Sequence, residues 1–224
     1  VDIAAFDGVT MSNTLALFER GFSGLAVEAN VERFAKMAKR YSEFPLVNLA
    51  RCYVTPNNVV DLLKGTFVEK EFGFLSLDID GYEFYVLDKI LSEYRPQLIC
   101  TEINEKIPPP IKFTVEYSDK YVWNEDHFFG QSICKLYEHC EKHNYKLLEL
   151  HYNNAFMCPS ELTELPGLLP ETAYNNGYRN KPDRAKRFPW NKDVDQALSM
   201  TPDESLAFFQ EYFAKYAGQF TMEK

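Results

Sequence analysis

Residues 1–14 read VDIAAFDGVTMSNT. Four non-polar residues fall within the first six positions, and Gly8 follows directly. A polar run over 10–14 then leads into an amphipathic segment. A buried strand that turns on a glycine into a helix is how a layered α/β sheet begins. Working outward, the same unit recurs. GLAVEA (24–29) reads as a second strand. VERFAKMAKRY (31–41) reads as a helix, with Phe34, Met37, Ala38 and Tyr41 at helical spacing. PLVNLARCYV (45–54) contains a third strand, and NNVVDLLKG (57–65) is a short helix with a glycine stop. FGFLSLDID (72–80) and YEFYVLDKILSEY (82–94) are the next strand and helix, and QLICTEIN (97–104) is a fifth strand. The first helix is expected over 13–20, with Ser12 as N-cap and Gly21 as its stop.

Strand–helix alternation with continuously apolar strands predicts a Rossmann-like, doubly wound, mostly parallel sheet with helices on both faces. The pattern breaks at 105–129, which has no clear period, three successive prolines and many aromatics. A long loop of that kind is often an active-site lid. GQSICKLYEHCEKHN (130–144) is a strong helix, and YKLLELHY (145–152) with NAFMCP (154–159) predicts two antiparallel strands. The division expected is a sheet domain over 1–159 and a C-terminal extension over 160–224, with a basic loop and a terminal helix that has Pro202 near N1.

The bulk numbers exclude several classes. At 224 residues with 46% hydrophobic and 15% aromatic content, the chain is neither disordered nor too small for a full core. A net charge of -9 argues against nucleic acid as partner. No apolar run reaches membrane-spanning length, and no charged-then-apolar leader stands at the start, so no membrane partner is expected. Five scattered cysteines without a C-x-x-C pair fit reduced thiols and a cytoplasmic location.

The candidate chemistry lies at strand ends, where such sheets bind ligands. Gly8 allows a tight turn and backbone approach to a ligand. Glu28, twenty residues beyond, stands where related folds hold ribose hydroxyls. Asp78 and Asp80 share one side of the fourth strand, and Glu102 and Asn104 share one side of the fifth. Their convergence would suit a divalent metal, with Asp80, Glu102 and Asn104 as ligands, a general base, or a grip on an amine or hydroxyl. His127 in the 105–129 segment is a further candidate base. His139 and His143, four apart, read as surface residues. The basic run YRNKPDRAKRF (178–188) reads as a solvated segment with the capacity to grip an anion.

Together these pieces resemble the FkbM-type methyltransferases, a branch of the class I S-adenosylmethionine (SAM)-dependent enzymes. The resemblance lies in VDIAAFDGVTMSNT, GFSGLAVEAN, FLSLDIDGYEF, RPQLICTEIN and NNAFMCP, in that order. It implies a seven-stranded sheet with one antiparallel strand, SAM as cofactor, and O-methylation of a hydroxyl on a sugar or small metabolite. It also implies a cofactor site of Asp2, Ala4, Gly8, Glu28, Asn30, Cys52 and Asp78. Asp2 and the turn through Gly8 would face the methionine part, Glu28 the ribose, and Arg51 and Cys52 the adenine. Asp78, Asp80 or His127 would act as base, and Mg or Mn would be the metal if one takes part. The family's first glycine after D-I is Ala4 here. The competing readings are a nucleotide-cofactor oxidoreductase, disfavoured by the missing G-x-G-x-x-G, and a non-catalytic binding protein on the same fold. A homodimer through the extension is a further expectation.

Overall fold

The structure, a computed structural model, describes residues 1–224. Nine strands form: β1 (Asp2–Ile3), β2 (Gly24–Val27), β3 (Val47–Ala50), β4 (Phe74–Leu77), β5 (Leu98–Glu102), β6 (Lys112–Val115), β7 (Tyr145–His151), β8 (Asn154–Pro159) and β9 (Phe220–Glu223). The eight α-helices are α1 (Leu15–Glu19), α2 (Val31–Tyr41), α3 (Val59–Gly65), α4 (Glu83–Glu93), α5 (Ile133–His143), α6 (Pro170–Tyr174), α7 (Arg184–Arg187) and α8 (Pro202–Tyr212). Seven strands make one mostly parallel sheet in the order β3-β2-β1-β4-β5-β8-β7, with one strand antiparallel and helices around it. This is the Rossmann-like architecture expected from the strand–helix alternation. No helix is long and apolar enough to cross a membrane.

The chain forms two compact units, Val1–Ile79 with Tyr85–Ile99, and Asp80–Phe84 with Cys100–Lys224. In the first, β1 lies parallel between β2 and β4, and β3 pairs with the far edge of β2. Leu25, Ala26, Leu75 and Leu77 are fully buried, as strands covered on both faces require. Asn30 caps α2 by accepting from Glu32 N and Arg33 N, each at 3.0 Å. The helix then turns Met37 and Tyr41 into a core with Ala5, Phe18 and Ala26.

Two elements here are shorter than the sequence suggests. β1 ends at Ile3 because Ala4 adopts φ +64°, a left-handed conformation that no strand continues through. α1 starts at Leu15, not at residue 13. Ser12 Oγ instead accepts from the backbone of Thr14 and Leu15 at 3.2 and 3.0 Å, holding the chain in a turn before the helix opens.

In the second unit β7 and β8 form an antiparallel hairpin with an irregularity between Leu147 and Glu149. Ser132 caps α5, accepting from Lys135 N at 3.3 Å while donating to Ile111 O at 2.7 Å. The 105–129 segment is not structureless. It carries β6, whose four residues pair antiparallel with β9, and Phe113 of β6 is fully buried among Phe128, Phe209 and Phe213. The partner strand lies a hundred residues further along the chain, so no local pattern announces the pair.

Residues beyond 159 are built into this same unit. Tyr174 Oη donates to Glu105 O at 2.5 Å. Gly177 lies so close to β7 that a Cβ would stand 2.0 Å from Leu150 O. His139, read from the sequence as a surface residue, is 1% exposed and stacks on Phe84 with ring centroids 4.3 Å apart. Its helical spacing to His143 was visible, but the ring it packs against belongs to a distant segment. Three cations of the basic run lie over tyrosines: Arg187 and Lys181 over Tyr152 at 4.3 and 5.6 Å, and Arg184 over Tyr178 at 5.4 Å, with Arg184 also paired to Asp195 at 2.6 Å. Lys186 and Arg187 are exposed, as a solvated segment requires.

Candidate functional site

In the first unit the chain reverses after β1 through Ala4, Phe6 and Gly8, at φ +64°, +54° and +78°. Left-handed backbone costs a residue with a Cβ roughly 1–2 kcal/mol, so such a turn persists only if it is held. Glu28, at the end of β2, holds it. One carboxylate oxygen accepts from Phe6 N at 3.0 Å and the other from Asn30 N at 2.7 Å. The group is 5% exposed. The turn after β1 and the turn after β2 are thus tied through one side chain.

Gly8 makes the tight turn expected of it, at φ +78°, and has a packing role as well. A Cβ there would meet Tyr41 Cε1 at 2.9 Å and Met37 Cγ at 3.1 Å, and Tyr41 Oη donates to Gly8 O at 2.8 Å. The missing side chain makes room for α2, and the positive φ independently favours glycine. Ala4, in contrast, is exposed. It is the residue of the turn whose side chain stands toward solvent rather than core.

Asp2 is buried, 4% exposed, and accepts from Thr14 Oγ1 at 2.5 Å. Burial raises its pKa, and hydrogen bonds from Thr14 and Ser76 oppose that rise. Asp2 therefore acts from behind the turn, joining β1 to the start of α1. Asn30 is spent on the α2 cap. Cys52, just past β3, is half-buried, and burial pushes its thiol pKa up. Asp78 follows β4, half-buried, with its N–H directed to Ile3 O at 3.5 Å. Turns and side chains at the carboxyl ends of β1, β2 and β4 therefore share one unit, and the strand order reverses there between β1 and β4.

The second unit holds a cavity of about 380 Å³. Asp80, Glu102 and His127 line it, together with Glu105, Lys106, Trp123, Glu125, Asp126, Phe129, Asn153, Phe188 and Trp190. Glu102 is 7% exposed, and its Oε1 accepts from Asn153 Nδ2 at 2.6 Å. His127 Nε2 lies 3.1 Å from Asp193 Oδ1, and Tyr212 Oη donates to the other oxygen of Asp193 at 2.6 Å. Asn104 is committed to structure: its amide donates to His127 O and Phe129 O, both at 2.9 Å, and its oxygen accepts from Lys106 N at 3.4 Å. It pins the segment carrying His127. Asp80, Glu102 and Asn104 thus do not make the all-oxygen donor set that a hard divalent cation needs.

Several lining residues escaped sequence reading. Lys106 forms a buried pair with Glu105, 3.1 Å apart, and its ammonium lies 4.3 Å from the Phe129 ring centre. Asn191 Nδ2 donates to Glu105 Oε1 at 2.7 Å from eighty-six residues away. The adjacent E-K at 105–106 was the only local signal, and a surface pair is the ordinary reading of it.

No family model matches the chain, and no curated protein does. Solved structures with a similar arrangement include the glycopeptide N-methyltransferase MtfA complexed with SAM, at 10% identity over 70% of this chain and 78% of that one, with a TM-score of 0.39. TehB from Haemophilus influenzae matches at 10% identity over 70% and 57%, with a TM-score of 0.43. A SAM-dependent methyltransferase from Clostridium acetobutylicum matches at 8% identity over 70% and 82%, with a TM-score of 0.41. At such scores neither reaction nor substrate carries over to this chain.

Proposed function

We propose that this chain is a SAM-dependent methyltransferase acting on a hydroxyl of a sugar or small metabolite. The observation that carries the reading is the left-handed turn after β1, fixed by the Glu28 carboxylate at the switch in strand order. Each Glu28 oxygen has a second lone pair beyond the amide it holds, and ribose hydroxyls are suited to it. Asp78 after β4 lies in the same unit as this turn. The exposed Ala4 and half-buried Phe6 give the turn an apolar outer surface. Cys52 and the exposed Tyr53 supply an edge for a purine. This donor set fits the cofactor, with Asp2 and Gly8 supporting the turn from inside.

When bound, SAM supplies an activated methyl group on a sulfonium. The chain then has to orient the acceptor oxygen in line and take its proton. Orientation alone is worth up to roughly 7–11 kcal/mol of barrier. The proton acceptor we assign is Asp78, in the same unit as the turn.

The test is thermal denaturation with SAM, its demethylated product, or NAD. Stabilisation by the first two and not by NAD is expected. Stabilisation by NAD alone would assign the site to an oxidoreductase. A folded protein indifferent to all three would leave a binding module without this cofactor.

A further inference from the structure

We propose that the buried Glu105–Lys106 pair, in the wall of the second unit's cavity, binds a hydroxyl group carried on a neutral, ring-shaped body. Both side chains line the cavity. Glu105 is 1% exposed, and Lys106 is buried beside it. Taking two ions out of water is costly, and their attraction offsets that cost only when further hydrogen bonds satisfy the remaining lone pairs and protons. The protein supplies part of that set. Glu105 Oε1 accepts from Asn191 Nδ2 at 2.7 Å and lies 3.1 Å from Lys106 Nζ. Glu105 Oε2 takes no bond from the protein. Lys106 Nζ meets that one carboxylate oxygen and, at 4.3 Å, the centre of the Phe129 ring, so N–H groups are left over from its three. An unspent acceptor and an unspent donor therefore stand side by side in the cavity wall.

Their opposite charges select the ligand. The pair is neutral as a unit, so a charged ligand group is attracted by one member and repelled by the other. An ammonium meets Lys106, and a carboxylate meets Glu105. A hydroxyl donates and accepts through a single oxygen: its proton goes to Glu105 Oε2, and its lone pair receives Lys106 Nζ. The pair is a binding element, and no proton transfer is asked of it.

The frame around the pair is fixed. Asn191 Nδ2 also reaches Tyr178 Oη at 3.0 Å, and Tyr174 Oη holds the Glu105 carbonyl. The rest of the cavity suits a ring. Its volume of about 380 Å³ is that of a small-molecule site, and Trp123, Phe129, Phe188 and Trp190 line it. The Trp123 ring meets Phe129 edge-on at 5.8 Å, and Phe188 meets Trp190 edge-on at 5.5 Å, which leaves apolar surface for the ligand's body.

The test is titration of the full chain with four probes that share one ring: cyclohexylmethanol, its methyl ether, cyclohexylmethylamine and cyclohexanecarboxylate. Both tryptophans of the chain line the cavity, so their emission reports on it. The alcohol should bind in the millimolar range and about tenfold more tightly than each of the other three. The ether is the stringent control, because it is the more apolar of the two and lacks only the donor. Glu105→Gln should reverse the order in favour of the carboxylate, and Lys106→Met in favour of the amine, a change of preference that loss of packing does not produce. If one variant does not fold, the other and the order for the unaltered chain decide. Equal or tighter binding of the ether, amine or carboxylate to the unaltered chain would overturn the proposal. So would no binding of the alcohol, or variants that weaken all four probes alike. No SAM is present in these titrations, so this result and the cofactor test stand or fall separately.

Discussion

Ala4→Gly should stabilise the protein, an unusual result for removing a methyl group. Ala4 sits at φ +64° and is exposed, so its Cβ strains the backbone and contributes no core packing. Relief of the left-handed conformation is worth roughly 1–2 kcal/mol. Against this, glycine frees the unfolded chain by about 0.4–1 kcal/mol. The net gain is about 0.5–1 kcal/mol, a rise of about 2 °C in Tm for a chain of this length. Ala5→Gly is the matched control. Ala5 is 4% exposed within the Phe18, Met37 and Tyr41 core. Losing its methyl costs about 0.8 kcal/mol of burial, and added unfolded-state freedom brings the loss to about 1.5 kcal/mol. Urea and thermal unfolding followed by circular dichroism measure both variants. If Ala4→Gly destabilises as much as Ala5→Gly, the turn after β1 is not left-handed at Ala4, and the case for a strained, Glu28-held loop fails.

The remaining expectations concern neighbouring parts. Gly8→Ala combines an unfavourable φ with a Cβ 2.9 Å from Tyr41, and should cost about 2–4 kcal/mol in urea unfolding; a loss below one would mean α2 yields freely. Glu28→Ala strands two amides at the turn, should cost about 2–4 kcal/mol, and should abolish the SAM-induced rise in Tm; an unaltered rise would remove Glu28 from the site. For Asp126, burial pushes the pKa up, but hydrogen bonds from Tyr216, Phe128 N and Lys215 outweigh it, so the folded pKa lies below the usual 3.8. Its contribution to stability is therefore complete above that value and is lost as pH falls through the lower folded one. In a Trp190→Phe background, Trp123 emission should hold until below pH 3.8, and a transition near neutrality would contradict the anchor. Cys134 and Cys140, with thiols pushed by burial to about 12, should resist iodoacetamide at pH values where an open thiol reacts, as read by mass spectrometry of the intact protein.

The sheet was legible because each of its parallel strands carries its own signal. LAV in β2, FLSL in β4 and LICT in β5 are predominantly apolar, and the first two are followed by a helical period. Glu28 was legible by position, at a strand end about twenty residues past a glycine. The packing role of Gly8 was not, because the groups that fill its Cβ space, Tyr41 and Met37, lie on another element. The same reason hides β6, His139 and the second unit's cavity. β6 takes its partner from Phe220–Glu223, His139 its ring from Phe84, and the cavity its wall from Trp190. Periodicity reports what a segment does to itself; long-range pairing leaves no such trace in a four-residue strand or a single side chain.

The central claim is that the carboxyl ends of β1, β2 and β4 receive the cofactor, and amide hydrogen exchange read by mass spectrometry, with and without SAM, tests it where it applies. Slower exchange confined to peptides spanning 2–14, 26–31, 50–54 and 76–80 is the predicted footprint. Protection elsewhere, or none in a folded sample saturated with SAM, would contradict it.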